Sequence, residues 1–146
     1  MMPLLVVCHA NKWRSVLAEQ LLRHFGVPAV SAGVNPATRG PAARPVRLWL
    51  QETHGLDVTA HRARPITQEL LDAAPLVLYM DGGNLARLAQ WRTRPGQLRC
   101  LAHWGGERRI PDPAFDRARL PQIAALLTRC CRGVADDLAA GTLRCE

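Results

Sequence analysis

The chain has 146 residues, 48% of them hydrophobic and 21% charged, with a formal net charge of +7. That size and balance fit one globular domain over residues 1–146 with a real core. No apolar run approaches the roughly 20 residues of a membrane span, and "MMPLLVVCHA" has no basic residue ahead of its apolar stretch, so neither membrane insertion nor an export signal is expected and the protein reads as cytoplasmic.

In chain order, "PLLVVC" (3–8) is a short continuous apolar run with the look of a buried parallel strand. "SVLAEQLLRHF" (15–25) sets Leu17, Leu21, Leu22 and Phe25 on one helical face, and Gly26 suits its end. "PAVSAG" (28–33) reads as a second strand and "VRLWLQET" (46–53) as a helix. "APLVLYM" (74–80) is a core strand, "GNLARLAQW" (83–91) a helix, "GQLRCLA" (96–102) a weaker strand, and the last long helix runs from about Leu120 to Ala139. Strands alternating with helices predict an α/β fold with a parallel sheet, helices on both faces and right-handed crossovers.

The five cysteines show neither a disulfide framework nor a four-ligand zinc pattern, so no metal site is expected. Lys12 is the only lysine, so the positive charge is carried by arginine, which pairs with planar oxyanions better than lysine does. Arginines scattered from Arg14 to Arg144 and a complement of four Trp, one Tyr and two Phe argue against a base-stacking nucleic-acid surface.

Only Cys8 has a chemical context. It ends the first strand, and Arg14 follows six positions later at the start of a helix, within "CHANKWRS" (8–15). Ligands of doubly wound sheets bind at that edge. Backbone N–H groups of the loop, the helix N-terminus and the Arg14 guanidinium could together hold a phosphate. The same surroundings favour thiolate over thiol, and Ser15 could donate a hydrogen bond to the sulfur. The bare Cys-x5-Arg spacing is weak in so arginine-rich a chain. From the residues alone, an inert core cysteine with Ser15 as a helix cap stands equally beside the nucleophile.

The loop resembles that of the low-molecular-weight protein tyrosine phosphatases, Cys-x-Gly-Asn-x-Cys-Arg-Ser. "SAG" (31–33), "GLDVTAHRAR" (55–64), "LYMDGGNLARL" (78–88), "IPDPAF" (110–115) and "TRCCRG" (128–133) are similar to further segments of that family in the same order. The resemblance implies a four-stranded parallel sheet of Rossmann-type topology. It also implies phosphomonoester hydrolysis without metal or cofactor, through a phosphocysteine on Cys8. By the match, Arg14 and the loop residues His9, Ala10, Asn11, Lys12 and Trp13 surround the phosphate, Ser15 steadies the thiolate, and Asp112 is general acid and then base. Asn11 is expected in a left-handed turn tied by Ser31 and His61, with Asp81 as a further support of the loop. The implied partner is a phosphotyrosine protein, a bacterial tyrosine kinase among the candidates, with inorganic phosphate or another oxyanion as a loop ligand.

The sequence departs from the pattern at four places, of which Val16, in place of the usual proline after the serine, is expected to be harmless because either residue can start a helix. The glycine two positions after the nucleophile is Ala10, a strained substitution if that backbone needs a positive φ. The second loop cysteine is Trp13, which removes a thiol able to trap an oxidised nucleophile. The loop "VNPATRG" (34–40) has no aromatic, which leaves Trp13 and Phe115 to stack on a phenyl ring. A phosphotyrosine-binding protein with weakened turnover is therefore an alternative. Arsenate reduction is a distant one, since "MDGGNLARLAQW" has none of the cysteines a disulfide relay requires.

Overall fold

In a computed structural model the described residues are 1–143, which leaves Arg144, Cys145 and Glu146 outside the description. Strand β1 (Leu4–Cys8) runs into helix α1 (Arg14–His24), followed by β2 (Ala29–Gly33), α2 (Arg44–His54), α3 (Gln68–Ala73), β3 (Val77–Tyr79), α4 (Gly82–Leu88), β4 (Leu98–Cys100) and the long α5 (Leu120–Ala140). The four strands form one parallel sheet in the order β2-β1-β3-β4.

The sequence of β1 dictates its central place. All five of its residues are buried, which a strand covered on both faces requires. Leu4, Val6 and Cys8 point into one core with α1 and α5, while Leu5 and Val7 point into the other with Leu71 of α3 and Leu88 of α4. The period of two along a strand makes that split. From β1 the chain steps one way to β2 and later the other way to β3 and β4. Crossovers of one hand then put α1 on one face and α4 on the other. The reversal also leaves a crevice at the carboxyl end of β1. Cys8 ends that strand.

Each helix shows its local cause. Pro45 in the first turn of α2 costs no hydrogen bond, and Gly55, left-handed at φ 66, closes it. In α3, Thr67 caps the first turn by accepting a hydrogen bond from the Leu70 N–H. Asp81 caps α4 in the same way, through the N–H of Asn84. Helix α5 buries Leu120, Ile123, Ala124, Leu127, Cys131 and Val134, an i, i+3, i+4 stripe facing the core.

Candidate active site

The loop after β1 turns its carbonyls outward. The carbonyl of Cys8 accepts from the Val34 N–H at 2.9 Å, that of His9 from Asn35 at 3.0 Å, and that of Lys12 from Ala43 at 3.0 Å. Among the described residues, the N–H groups of residues 9–13 have no hydrogen-bond partner. Fixed carbonyls outside and free donors inside make a concave nest suited to an anion.

Asn11 sets the turn. It is the one non-glycine residue with positive φ, 56°, among the described residues, a region that Asn tolerates better than most side chains. Its Nδ2 donates to Ser31 Oγ and to Ser15 Oγ, both at 2.9 Å, and its Oδ1 accepts from the Arg64 N–H at 3.1 Å. The Asn11 carbonyl meets His61 Nε2 at 2.9 Å. Ser31 comes from β2, while His61 and Arg64 come from a segment pinned beside it, where Gly33 donates to the Arg64 carbonyl and Ile66 donates to Gly33. Ala10 does not share the left-handed conformation. Its backbone has no need of glycine, and a methyl group sits there without torsional strain.

Ser15 is not a helix cap. Its Oγ lies 3.0 Å from Cys8 Sγ and already accepts from Asn11, which leaves its own proton free for the sulfur. The start of α1 has no side-chain cap at all, with Trp13 in the cap position. Its first amides are unspent, so the positive end of the helix faces the loop.

Arg14 is only 2% exposed. Its Nη1 donates to Asp81 Oδ2 at 2.7 Å and to the Ile110 carbonyl at 2.8 Å, and Nη2 lies 3.5 Å from Asp112 Oδ2. Both terminal nitrogens of the guanidinium are therefore engaged by protein, and the buried Nε is left without a partner. Asp81 thus supports Arg14 and α4 and makes no bond to the Asn11 turn. Burial works against its ionised form, but the Arg14 hydrogen bond, the Asn84 and Gly83 amides and the Arg14 charge outweigh it and hold the carboxyl below its usual range. Asp112 is fixed by its Oδ1, which accepts from the Ala114 N–H at 3.0 Å, and a short 3-10 turn at Pro113–Phe115 carries it toward the loop.

A recess of about 120 Å³ beside Cys8 is lined by His9, Ala10, Lys12, Trp13, Asp112 and Phe115, with Arg14 and Ala114. It adjoins a cavity of about 520 Å³ that shares His9, Arg14, Asp112 and Phe115. Phe115 is 91% exposed at the rim, an unusual position for an aromatic side chain without a partner. Trp13 is half-buried against the α1 core, with the Arg117 guanidinium 5.8 Å from its ring centroid, so it both packs and lines the recess.

The sequence expectations for Cys8, Arg14, Asp112, Ser15 and the loop residues converge on one place. The fold adds three groups that the sequence reading passed over. These are Arg64, which ties Asn11 to the Ser31 carbonyl through its Nε at 3.1 Å, the Ile110 carbonyl on Arg14, and Arg87 in the larger cavity. Only three-dimensional placement reveals them. Burial pushes the Cys100 thiol up, Cys130 up to about 11, and Cys131 well above its ordinary value. No cluster of three His, Cys, Asp or Glu side chains suited to a metal occurs among the described residues. No described helix is long and apolar enough to cross a membrane.

Comparison with known proteins places this arrangement. A family model described as low molecular weight phosphotyrosine protein phosphatase matches residues 3–142. The chain is 34% identical to the low molecular weight protein-tyrosine-phosphatase Wzb of Salmonella typhimurium over 141 residues, 94% of each chain. Among solved structures it is similar to the tyrosine phosphatase Wzb of Escherichia coli K30 in complex with sulphate, with a TM-score of 0.82, 27% identity and coverage of 94% of this chain and 99% of that one. A low molecular weight protein tyrosine phosphatase from T. tengcongensis aligns with a TM-score of 0.84 at 26% identity, over 94% of this chain and 99% of that one. With the family model spanning residues 3–142 and a 34%-identical relative matched along 94% of its length, the chain belongs to the low molecular weight phosphotyrosine protein phosphatases.

Proposed function

We propose that the protein hydrolyses phosphotyrosine in two steps through a phosphocysteine on Cys8. One observation carries this reading. A buried arginine keeps its Nε unpartnered beside a thiol and a row of unpaired loop amides. A buried donor without a partner costs about 1–3 kcal/mol, and a phosphoryl group in the recess would satisfy it together with the amides.

In the first step the Cys8 sulfur attacks phosphorus, and the phosphorus–oxygen ester bond breaks as Asp112 gives its proton to the departing phenolate. Ser15 donates its hydrogen bond to the sulfur, while Arg14 and the loop amides hold the equatorial oxygens. In the second step Asp112, now a carboxylate, takes a proton from water. The water oxygen bonds to phosphorus, the sulfur–phosphorus bond breaks, and phosphate leaves with the thiolate restored.

Phe115 and Trp13 are the apolar surfaces available to the substrate ring. The natural substrate in this reading is a phosphotyrosine protein, with a bacterial tyrosine kinase among the candidates. The relatives' names, protein-tyrosine-phosphatase, support that class. A thiol nucleophile also suits the reducing cytoplasm.

The test is hydrolysis of an aryl phosphate by reduced protein with a chelator present. Wild type turns over, Cys8→Ser does not, and Asp112→Ala lowers kcat by about 10²–10⁴-fold. Turnover that survives Cys8→Ser would contradict the mechanism. A wild type that binds phosphate or vanadate without turnover would show a binding protein instead.

A further inference from the structure

A second cavity, larger than the one at Cys8, opens between the loop before Asp112 and the first half of α5, with a volume of about 690 Å³. Arg108, Arg109, Arg119 and Arg129 line it, and Glu107 is the sole acid among its lining residues. All four arginines are exposed. The ion pairs among the described residues occupy only Arg14 and Arg23, so none of the four is neutralised by a carboxylate there. The cavity adjoins the active-site cavity, since Arg109, Pro111 and Arg119 line both. Its wall also carries Pro111 and the largely buried Ile123 and Leu126 of α5.

The catalytic steps use none of this. Four guanidinium groups around one cavity repel each other, and they gain most from an anion carrying several oxygens, to which arginine offers a bidentate fork. An apolar wall beneath those charges suits a ring, which a short aliphatic carboxylate does not bring. A ring joined to a dianion is an aryl phosphate.

We infer that this groove takes a second phosphotyrosine of the same substrate chain while the first is hydrolysed at Cys8, so that the enzyme prefers multiply phosphorylated tyrosine segments. The inference rests on the phosphotyrosine reading above and adds a subsite to it. Linking two anchors on one chain raises affinity through effective concentration, so the gain falls on KM with kcat nearly unchanged.

The experiment compares peptides with phosphotyrosine at one position and Tyr, phosphotyrosine or Glu at a second, over a series of spacings. Wild type and the double variant Arg108→Gln/Arg129→Gln, whose side chains line the groove and not the Cys8 cavity, are assayed by initial phosphate release. At the best spacing the doubly phosphorylated peptide gains about tenfold in kcat/KM through KM, beyond the doubling that a second hydrolysable group supplies. The double variant loses that gain and keeps wild-type turnover of the singly phosphorylated peptide, which also shows that it is folded. Equal kcat/KM for the singly and doubly phosphorylated peptides, a gain that survives the double variant, or the same gain from Glu would each overturn the second-phosphotyrosine site. A wild type inactive on the singly phosphorylated peptide would instead refute the underlying phosphotyrosine reading and this inference with it.

Discussion

Arg14 keeps its charge almost out of water because two carboxylates and a carbonyl surround one side of it. The strongest of these contacts is Asp81, at 2.7 Å. Since its folded carboxyl is held below the ordinary value of 3.8, Asp81 favours the folded state above that value, and the contribution fades as pH falls through the folded range. Asp81→Asn removes it. The melting temperature of this variant lies below that of wild type at neutral pH, and the gap narrows once pH falls below about 4. Thermal unfolding across that range checks this, and a gap that is constant with pH would show that Asp81 acts by shape alone. At this scale the family resemblance singles out Cys8, Arg14, Ser15 and Asp112, and the structure brings the four side chains together. The partners of Arg14 were not legible in the sequence, since the Ile110 carbonyl lies 96 positions away and has no side-chain signal.

Among the elements, β1 and α5 announce themselves by continuous burial and by an i, i+3, i+4 stripe. Helix α3, six residues long, was missed because so short a segment holds less than two turns of period. Only Thr67 as its cap marks it. The strands expected over 74–80 and 96–102 pair only at Val77–Tyr79 and Leu98–Cys100. An apolar run continues past the end of a ladder when its next residues are buried by something else, as Leu101 and Ala102 are in a 3-10 turn. The "SAG" segment gains a physical reason here. A Cβ on Gly33 would lie 2.7 Å from Thr38 Oγ1 and 2.9 Å from the His9 carbonyl, and that carbonyl belongs to the anion loop. Gly33→Ala should therefore cost about 1–3 kcal/mol in urea unfolding and raise KM for an aryl phosphate by displacing His9. Wild-type stability with wild-type KM would show that the loop yields freely.

The molecule as a whole places one strand end at the point where strand order reverses and gathers the loop, the β2 support and the Asp112 turn around it. The sequence could predict the sheet and the crossovers because alternation of strands and helices leaves few topologies. It could not predict the arginine groove, whose members sit apart at Arg108, Arg109, Arg119 and Arg129. A net charge of +7 also acts at this scale, attracting anionic phosphoproteins over a distance that salt shortens. Raising salt from about 0.05 to 0.5 M should lower kcat/KM for an acidic phosphotyrosine peptide by several-fold more than for a small aryl phosphate. Equal loss for both would assign the salt effect to the loop alone.

In the proposed mechanism Cys8 carries the phosphoryl group between the two steps. The most direct test of this claim is intact-mass analysis, with peptide mapping under alkaline conditions that preserve a sulfur–phosphorus bond, of Asp112→Ala denatured during turnover of an aryl phosphate whose phenolate leaves without protonation. Without the base that activates water, the second step slows, and one phosphoryl group should be found on Cys8 and be absent from Cys8→Ser. Turnover with no phosphoryl group on the protein, or with the group on another residue, would contradict the account.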